Sequence, residues 1–141
     1  MNAFCFVSLS GKTYEMYNLS PRQFEIMCAE LYEERGYKVT LTQQSRDGGK
    51  DLIILNNNEL GKFLIYGECK RYASDMPVGI GIVQRLAGAI YGDNVTSGLV
   101  LTSSYFCSDA KAFANKIEHR LSLMDFNHLQ EMIVSKPKFK C

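Results

Sequence analysis

The amino-acid sequence predicts an α/β fold, a mixed β-sheet flanked by helices in the order α-β-β-β-α-β-α-β-α. Three observations point there. Two apolar runs, "DLIIL" and "KFLIYGECKRY", surround the turn segment "NNNELG" and read as a β-hairpin. Beyond the hairpin, stripes of helical period alternate with short strand-like runs, the pattern of helices packed on the faces of a sheet. The run "SGLVLTS" is continuously apolar at strand length, as expected of a strand covered on both sides.

The elements follow in order. Residues 1–19 form an N-terminal arm or an extra strand: "AFCFV" is apolar but too short to span a membrane, and no basic segment precedes it. Ser20-Pro21-Arg22-Gln23 starts a helix, with Ser as cap, Pro at the first helical position and Gln completing a capping box. Phe24, Met27, Cys28 and Leu31 recur at helical spacing, and Gly36 is the stop. "YKVTLT" is a strand and "QQSRDGGK" a loop into the hairpin. Pro77 opens a glycine-containing helix to about Tyr91, with Ile82, Val83, Leu86 and Ile90 as its stripe. "SDAKAFANKIEH" starts on Ser108 as a capping residue, "RLSLMD" is a short strand, and "FNHLQEMI" closes the fold. One domain over residues 20–134, followed by a basic tail at 135–141, accounts for the chain; no repeat or Pro/Ser linker divides it.

Composition narrows the class of partner. The chain is 46% hydrophobic and 22% charged, ordinary for a globular protein. Sixteen basic and fifteen acidic residues leave a formal charge of +1. Bulk charge therefore does not hold a polyanion here, and any such partner must be held by a local site. The five cysteines are scattered and never spaced C-x-x-C, which argues against a zinc site or disulfide framework and for free thiols in a reducing cytoplasm.

The hairpin poses the chemical question. Asp51 opens its first strand, and Glu68 and Lys70 lie within its second. Buried strands carry such charges only when they are paired, metal-bound or solvated. Alternation places Tyr66, Glu68, Lys70 and Tyr72 on one face, with Glu68 and Lys70 roughly 6–7 Å apart along the backbone. Pairing about the turn brings Asp51 beside them, and Gly48-Gly49 let the chain turn just before it. Two carboxylates and a lysine suit metal-assisted phosphodiester hydrolysis: hard oxygen ligands for Mg²⁺ and a cation for the developing phosphate charge. The spacing is equally compatible with a surface salt bridge worth about 0–1 kcal/mol.

Asp47-Gly48-Gly49-Lys50-Asp51 followed by Glu68-Cys69-Lys70 resembles the core motif of the PD-(D/E)xK nucleases, specifically the Mrr-like restriction endonuclease family. The similarity continues in "QFEIMCAELYEERGYKV", "VGIGIVQRLAGAIYG", "GLVLTSSYFCSDAKAFA" and "RLSLMDFNHLQEMI", and spans roughly Ser20 to Val134. The resemblance implies a restriction-endonuclease-like fold and a cytoplasmic, Mg²⁺-dependent endonuclease acting on DNA in restriction, defence or processing, with Mn²⁺ able to substitute. It makes Asp51 and Glu68 the metal ligands, joined by the backbone carbonyl of Cys69, and Lys70 the catalytic lysine. Glu25 and Gln84 match further site positions; as isolated residues each is equally an exposed polar side chain. Arg46, Lys50, Lys62, Arg71 and Arg85 are candidate phosphate contacts. Relatives of this family often carry a separate DNA-binding module, so a homodimer or a separate target-recognition subunit is compatible with the resemblance. The alternative is a catalytically inactive nuclease-fold module that binds nucleic acid or a protein.

"GIGIVQ" lacks the third glycine of a dinucleotide loop, and Ser103-Ser104 has no G-x-S-x-G elbow. His119 and His128 have no spaced partner and read as structural.

Overall fold

The computed structural model of the chain describes residues 13–42 and 50–135. Residues 1–12, 43–49 (among them Arg46 and Asp47–Gly49) and 136–141 lie outside the described residues. The order of elements is the predicted one. A short 3-10 turn, Thr13–Asn18, precedes α1 (Pro21–Glu33), then β1 (Lys38–Leu41), β2 (Leu52–Asn58), β3 (Gly61–Lys70), α2 (Ile80–Gly92), β4 (Ser97–Thr102), α3 (Ser108–Lys116), β5 (Leu121–Met124) and α4 (Phe126–Val134).

The five strands lie in the order β1-β2-β3-β4-β5. The β1–β2 and β2–β3 pairs are antiparallel, whereas β3–β4 and β4–β5 are parallel. The parallel pairs are those joined through a helix, because a parallel return needs a crossover longer than a turn. Helices cover both faces. Phe24, Met27 and Leu31 of α1 and Leu129 and Ile133 of α4 pack with Leu52, Ile54, Leu99 and Leu101 on one side. Val83, Leu86 and Ile90 of α2 and Ala110 and Ala114 of α3 pack with Tyr66, Val100 and Leu121 on the other. β4 is buried from Gly98 to Thr102, as its unbroken apolar run requires.

Side-chain caps explain two of the four helix starts, and the other two begin differently from the sequence reading. Ser20 and Gln23 form the expected capping box on α1. α2 begins at Ile80 with Gly79 as its cap, not at Pro77; the backbone of Val78 is instead bonded to Tyr105 and Cys107 beside β4. α3 takes Cys107 as its cap, so Ser108 is the first helical residue and no side chain caps it. α4 gains a box that sequence inspection passed over, in which Asp125 accepts from the His128 amide and the imidazole faces back. The hairpin turn is also tighter than "NNNELG". Strand pairing runs out to Asn58 and Gly61, leaving only Glu59 and Leu60 as the turn. The Asn58 side chain accepts from the Leu60 amide at 2.7 Å, and Gly61 takes φ +132°, where a side chain would be strained.

Candidate active site at the end of the β2–β3 ladder

The site forms where one ladder stops and another continues. β2 pairs with β3 only as far as Leu52 opposite Gly67, whereas β4 pairs with β3 through to Lys70. Asp51, the residue before that last pair, lies at the end of the ladder beside Gly67 and Cys69 of β3. The Asp51 amide still donates to the Gly67 carbonyl at 2.6 Å. The carboxylate then replaces the missing strand: Asp51 Oδ2 accepts from the Cys69 amide at 2.7 Å. In a strand the carbonyl of a residue points to the same edge as its amide. The Cys69 carbonyl therefore faces Asp51 as well.

Glu68 is buried, 2% exposed, and lies on the α2 side of the sheet with Tyr66. Its Oε2 receives Lys70 Nζ at 3.3 Å and Arg85 Nη2 of α2 at 3.2 Å. Its Oε1 is buried with no hydrogen-bond partner among the described residues. A buried carboxylate oxygen without a donor costs the desolvation of that atom, so such atoms are rare in folded proteins unless something else occupies them. Asp51 makes no ion pair among the described residues, and its second oxygen is uncommitted. The available donors are thus two carboxylate oxygens and a backbone carbonyl, the hard oxygen set preferred by Mg²⁺. Among the described residues no three His, Cys, Asp or Glu side chains converge as a metal-ligating group. Only two of the three donors here are carboxylates.

Glu25 approaches the same end of the sheet from α1. It is buried and paired with Arg22 at 2.7 Å. Burial raises its pKa above the ordinary value, the Arg22 hydrogen bond opposes this, the Asp51 charge raises it further, and Lys70 lowers it. Arg22 also donates to the Thr42 carbonyl at 3.1 Å, and the Thr42 amide donates to the Asp51 carbonyl at 2.9 Å. The Thr42 hydroxyl lies 3.0 Å from the Lys50 carbonyl. Thr42 therefore fixes the backbone on which Asp51 sits. Sequence inspection missed this residue, because a threonine at a strand end carries no signal of its own.

The other candidates divide. Gln84 is exposed on α2, one residue before Arg85, and holds nothing among the described residues. Lys50 sits over the Tyr66 ring, 4.6 Å from its centroid, and 3.6 Å from Asp93. The Tyr66 hydroxyl donates to Asp93 at 2.6 Å, which raises the Tyr66 pKa and lowers that of Asp93. Arg71 points to the opposite side of the strand, where it donates to the Tyr17 carbonyl. Lys62 is exposed near the far end of the hairpin. Arg85 is bound to Glu68 rather than standing free for phosphate. The Cys69 thiol belongs to the core on the α1 side, and burial, aided by the neighbouring Cys28 thiol, pushes its pKa well up. A protonated, buried thiol is no nucleophile. Cys28, Cys69 and Cys107 are all free.

The described residues thus form a mixed five-stranded sheet between two helical layers, with Asp51, Glu68 and Lys70 where one ladder ends. The sequence profile of the restriction endonuclease family matches residues 16–133, and the chain belongs to that family. It is 36% identical over 120 residues to the uncharacterized protein y4cE of Sinorhizobium fredii, covering 84% of this chain and 29% of that protein. It is 29% identical over 121 residues to the type IV methyl-directed restriction enzyme EcoKMrr of Escherichia coli, covering 82% of this chain and 38% of that enzyme. The chain thus spans about a third of the length of these relatives. Among solved structures, the DNA modification-dependent restriction endonuclease AspBHI superposes with a TM-score of 0.71 at 23% identity, over 87% of this chain and 33% of its own. That likeness shows the shared fold.

Proposed function

We propose that this chain is the catalytic unit of a divalent-metal-dependent endodeoxyribonuclease that hydrolyses phosphodiester bonds, with Mg²⁺ as the ordinary ion and Mn²⁺ able to replace it. The observation that carries this is the divided Glu68 carboxylate: one oxygen is held by Lys70 and Arg85, while the other is buried and has no partner among the described residues. Asp51, Glu68 Oε1 and the Cys69 carbonyl would hold the ion. A divalent ion there neutralises phosphate charge and acidifies a water molecule. Thr42 and the Cys69 amide hold Asp51 in place, and burial keeps Glu68 in one orientation. Lys70 presents its ammonium on the same face, where it orients the attacking water and meets the negative charge that develops on the phosphoryl oxygens. Glu25, held by Arg22, adds a further acid at the rim and can accept a proton through water. Water adds across the P–O bond, leaving one phosphate and one hydroxyl end. Cytoplasmic DNA is the proposed substrate, and a target-recognition element, either a partner subunit or a second copy, supplies specificity. No described helix is long and apolar enough to cross a membrane.

The test is supercoiled plasmid incubated with and without Mg²⁺ or Mn²⁺, comparing the wild type with Lys70→Ala. Metal-dependent nicking that falls on the order of 10²–10³-fold in the variant is expected, the scale of removing one preorganised donor. Undiminished nicking by Lys70→Ala removes the main reason for this assignment. Metal binding without nicking by the wild type would favour a nuclease fold that binds without cutting.

A further inference from the structure

Arg85 is the feature of the site that its sequence position does not explain. It lies seventeen residues beyond Glu68 on a helix whose inner face is wholly apolar. Its side chain is 56% exposed, yet one guanidinium nitrogen reaches back to the buried Glu68 Oε2, the oxygen already taken by Lys70. Two cations on one carboxylate oxygen are more than a single negative charge requires. The excess matters because it sits at the rim of a site proposed to take a dication.

Resting on the metal-dependent reading of this same site, we propose that Arg85 is a counter-charge that sets the affinity of the Asp51–Glu68 site for its divalent ion, holding it weaker than the carboxylates alone would make it. Arg85 touches Glu68 Oε2, not the Oε1 that has no partner among the described residues, so it does not block the metal position sterically. Its charge acts through the carboxylate. It lowers the negative potential at Oε1 and repels an incoming dication, while Lys70 holds the same Glu68 oxygen from β3. The Arg85 end of the pair is 56% exposed, so water and salt reach it although Glu68 is buried. Such a pair is easily exchanged for a phosphate, and its other donors already face solvent. Arrival of the nucleic-acid backbone would draw Arg85 from Glu68 and strengthen the ion where the substrate lies. Arg85 is thus a positioning residue that links substrate to metal, in place of the simple phosphate contact its sequence position suggested.

The experiment is calorimetric titration of Mn²⁺ into the wild type, Arg85→Gln and Arg85→Lys at low ionic strength, with no nucleic acid present. Arg85→Gln should bind Mn²⁺ roughly tenfold more tightly, the effect of one charge on a dication several ångströms away in a water-like medium. Arg85→Lys should stay within about threefold of the wild type, and the gain of Arg85→Gln should shrink at high salt as screening sets in. Thermal melts of the two variants identify any loss of folding, which exposure of this side chain makes small. Unchanged or weaker Mn²⁺ binding by Arg85→Gln overturns the proposal. No Mn²⁺ binding by the wild type overturns the metal site itself, so the two failures are distinguishable.

Discussion

The two ends of β3 carry the same kinds of residue and do different things. Lys62 near its start and Glu68 and Lys70 near its end share one parity, and so one face of the strand. Around Lys62, β3 pairs with β2 alone, and the lysine is exposed. From Ile65 to Gly67 it is paired on both sides, and from Glu68 to Lys70 it is paired with β4 alone. The position vacated by β2 is filled by the Asp51 carboxylate. A strand bordered on both sides and covered by helices is a dry environment. At its end one border gives way to a carboxylate, which sets charged oxygens beside that environment. Chemistry needs both: low dielectric to strengthen the charges, and charges for a ligand to meet.

The sharpest way to break this comparison is Asp51→Asn. The amide oxygen still accepts from the Cys69 amide, so the end of the ladder should survive and the fold with it. What is lost is a negative charge on the proposed ion. Divalent-ion affinity should fall about 100-fold, as expected for a charge in direct contact with a dication. Plasmid cleavage should fall at least as far, and the melting temperature should change little. Calorimetry beside a nicking assay checks both. Normal Mn²⁺ affinity in this variant would mean that the end of β2 holds no metal.

How much of this was visible in the sequence depends on the range of the signal. The element order was legible because each element announces itself within ten or so residues: a Ser-Pro start, an alternating run, an apolar stripe. The Glu68–Lys70 pair was legible because the two residues alternate along one strand, whereas Asp51 was singled out by the family resemblance rather than by spacing. The hairpin turn was misjudged. Asn56 and Asn57 are poor strand formers, yet tertiary pairing with Phe63 and Lys62 carries them into β2. Pro77 is a common first helical residue, but here the backbone around it is used in a bridge to Phe106. Contacts that depend on packing left no mark. The Arg85–Glu68 pair, the Lys50–Tyr66–Asp93 group and the Thr42 clasp on Asp51 join residues whose neighbourhood is decided by how α2 and β1 pack. By contrast Arg22–Glu25 lies at helical i, i+3 spacing and could have been found.

A second test asks whether α2 must sit close to the sheet for the site to work. Gly98 of β4 faces α2, and a methyl group placed on it would lie 2.4 Å from Ile90 Cδ1 and 3.1 Å from Leu86 Cδ2. Ile90 and Leu86 are fully buried and have little room to move. Gly98→Ala should therefore destabilise the fold by about 1–3 kcal/mol, as overpacking of a filled core does. It should also push α2 outward, and Arg85, next to Leu86, with it. Denaturant unfolding gives the first quantity. The second appears as tighter Mn²⁺ binding, in the direction of Arg85→Gln but smaller. A variant as stable as the wild type would mean that the α2–β4 interface is looser than its contacts indicate.

The smallest expected effect concerns Lys62. It has the charge, strand and face parity of Lys70, which makes it the natural control for whether a lysine on β3 matters or only a lysine at the end of the ladder. Lys62 is exposed and makes no ion pair among the described residues. Its partner across the ladder is Asn57, which carries no charge. Its distance from Lys70 is eight strand positions, roughly 26 Å. That places it beyond the Debye length of about 8 Å at physiological salt, so its charge reaches neither Glu68 nor an ion beside it. Lys62→Ala should shift stability by less than about 0.5 kcal/mol, the usual range for a surface substitution. Plasmid nicking should stay within about twofold at physiological salt, against the 10²–10³-fold loss on the order expected for Lys70→Ala. Assays at two salt concentrations add the useful discrimination. A deficit of Lys62→Ala that appears only at low salt would mark a distant electrostatic contact with the DNA backbone. A tenfold deficit at physiological salt would mean that the hairpin tip belongs to the functional surface, and the contrast between the two ends of β3 would no longer hold.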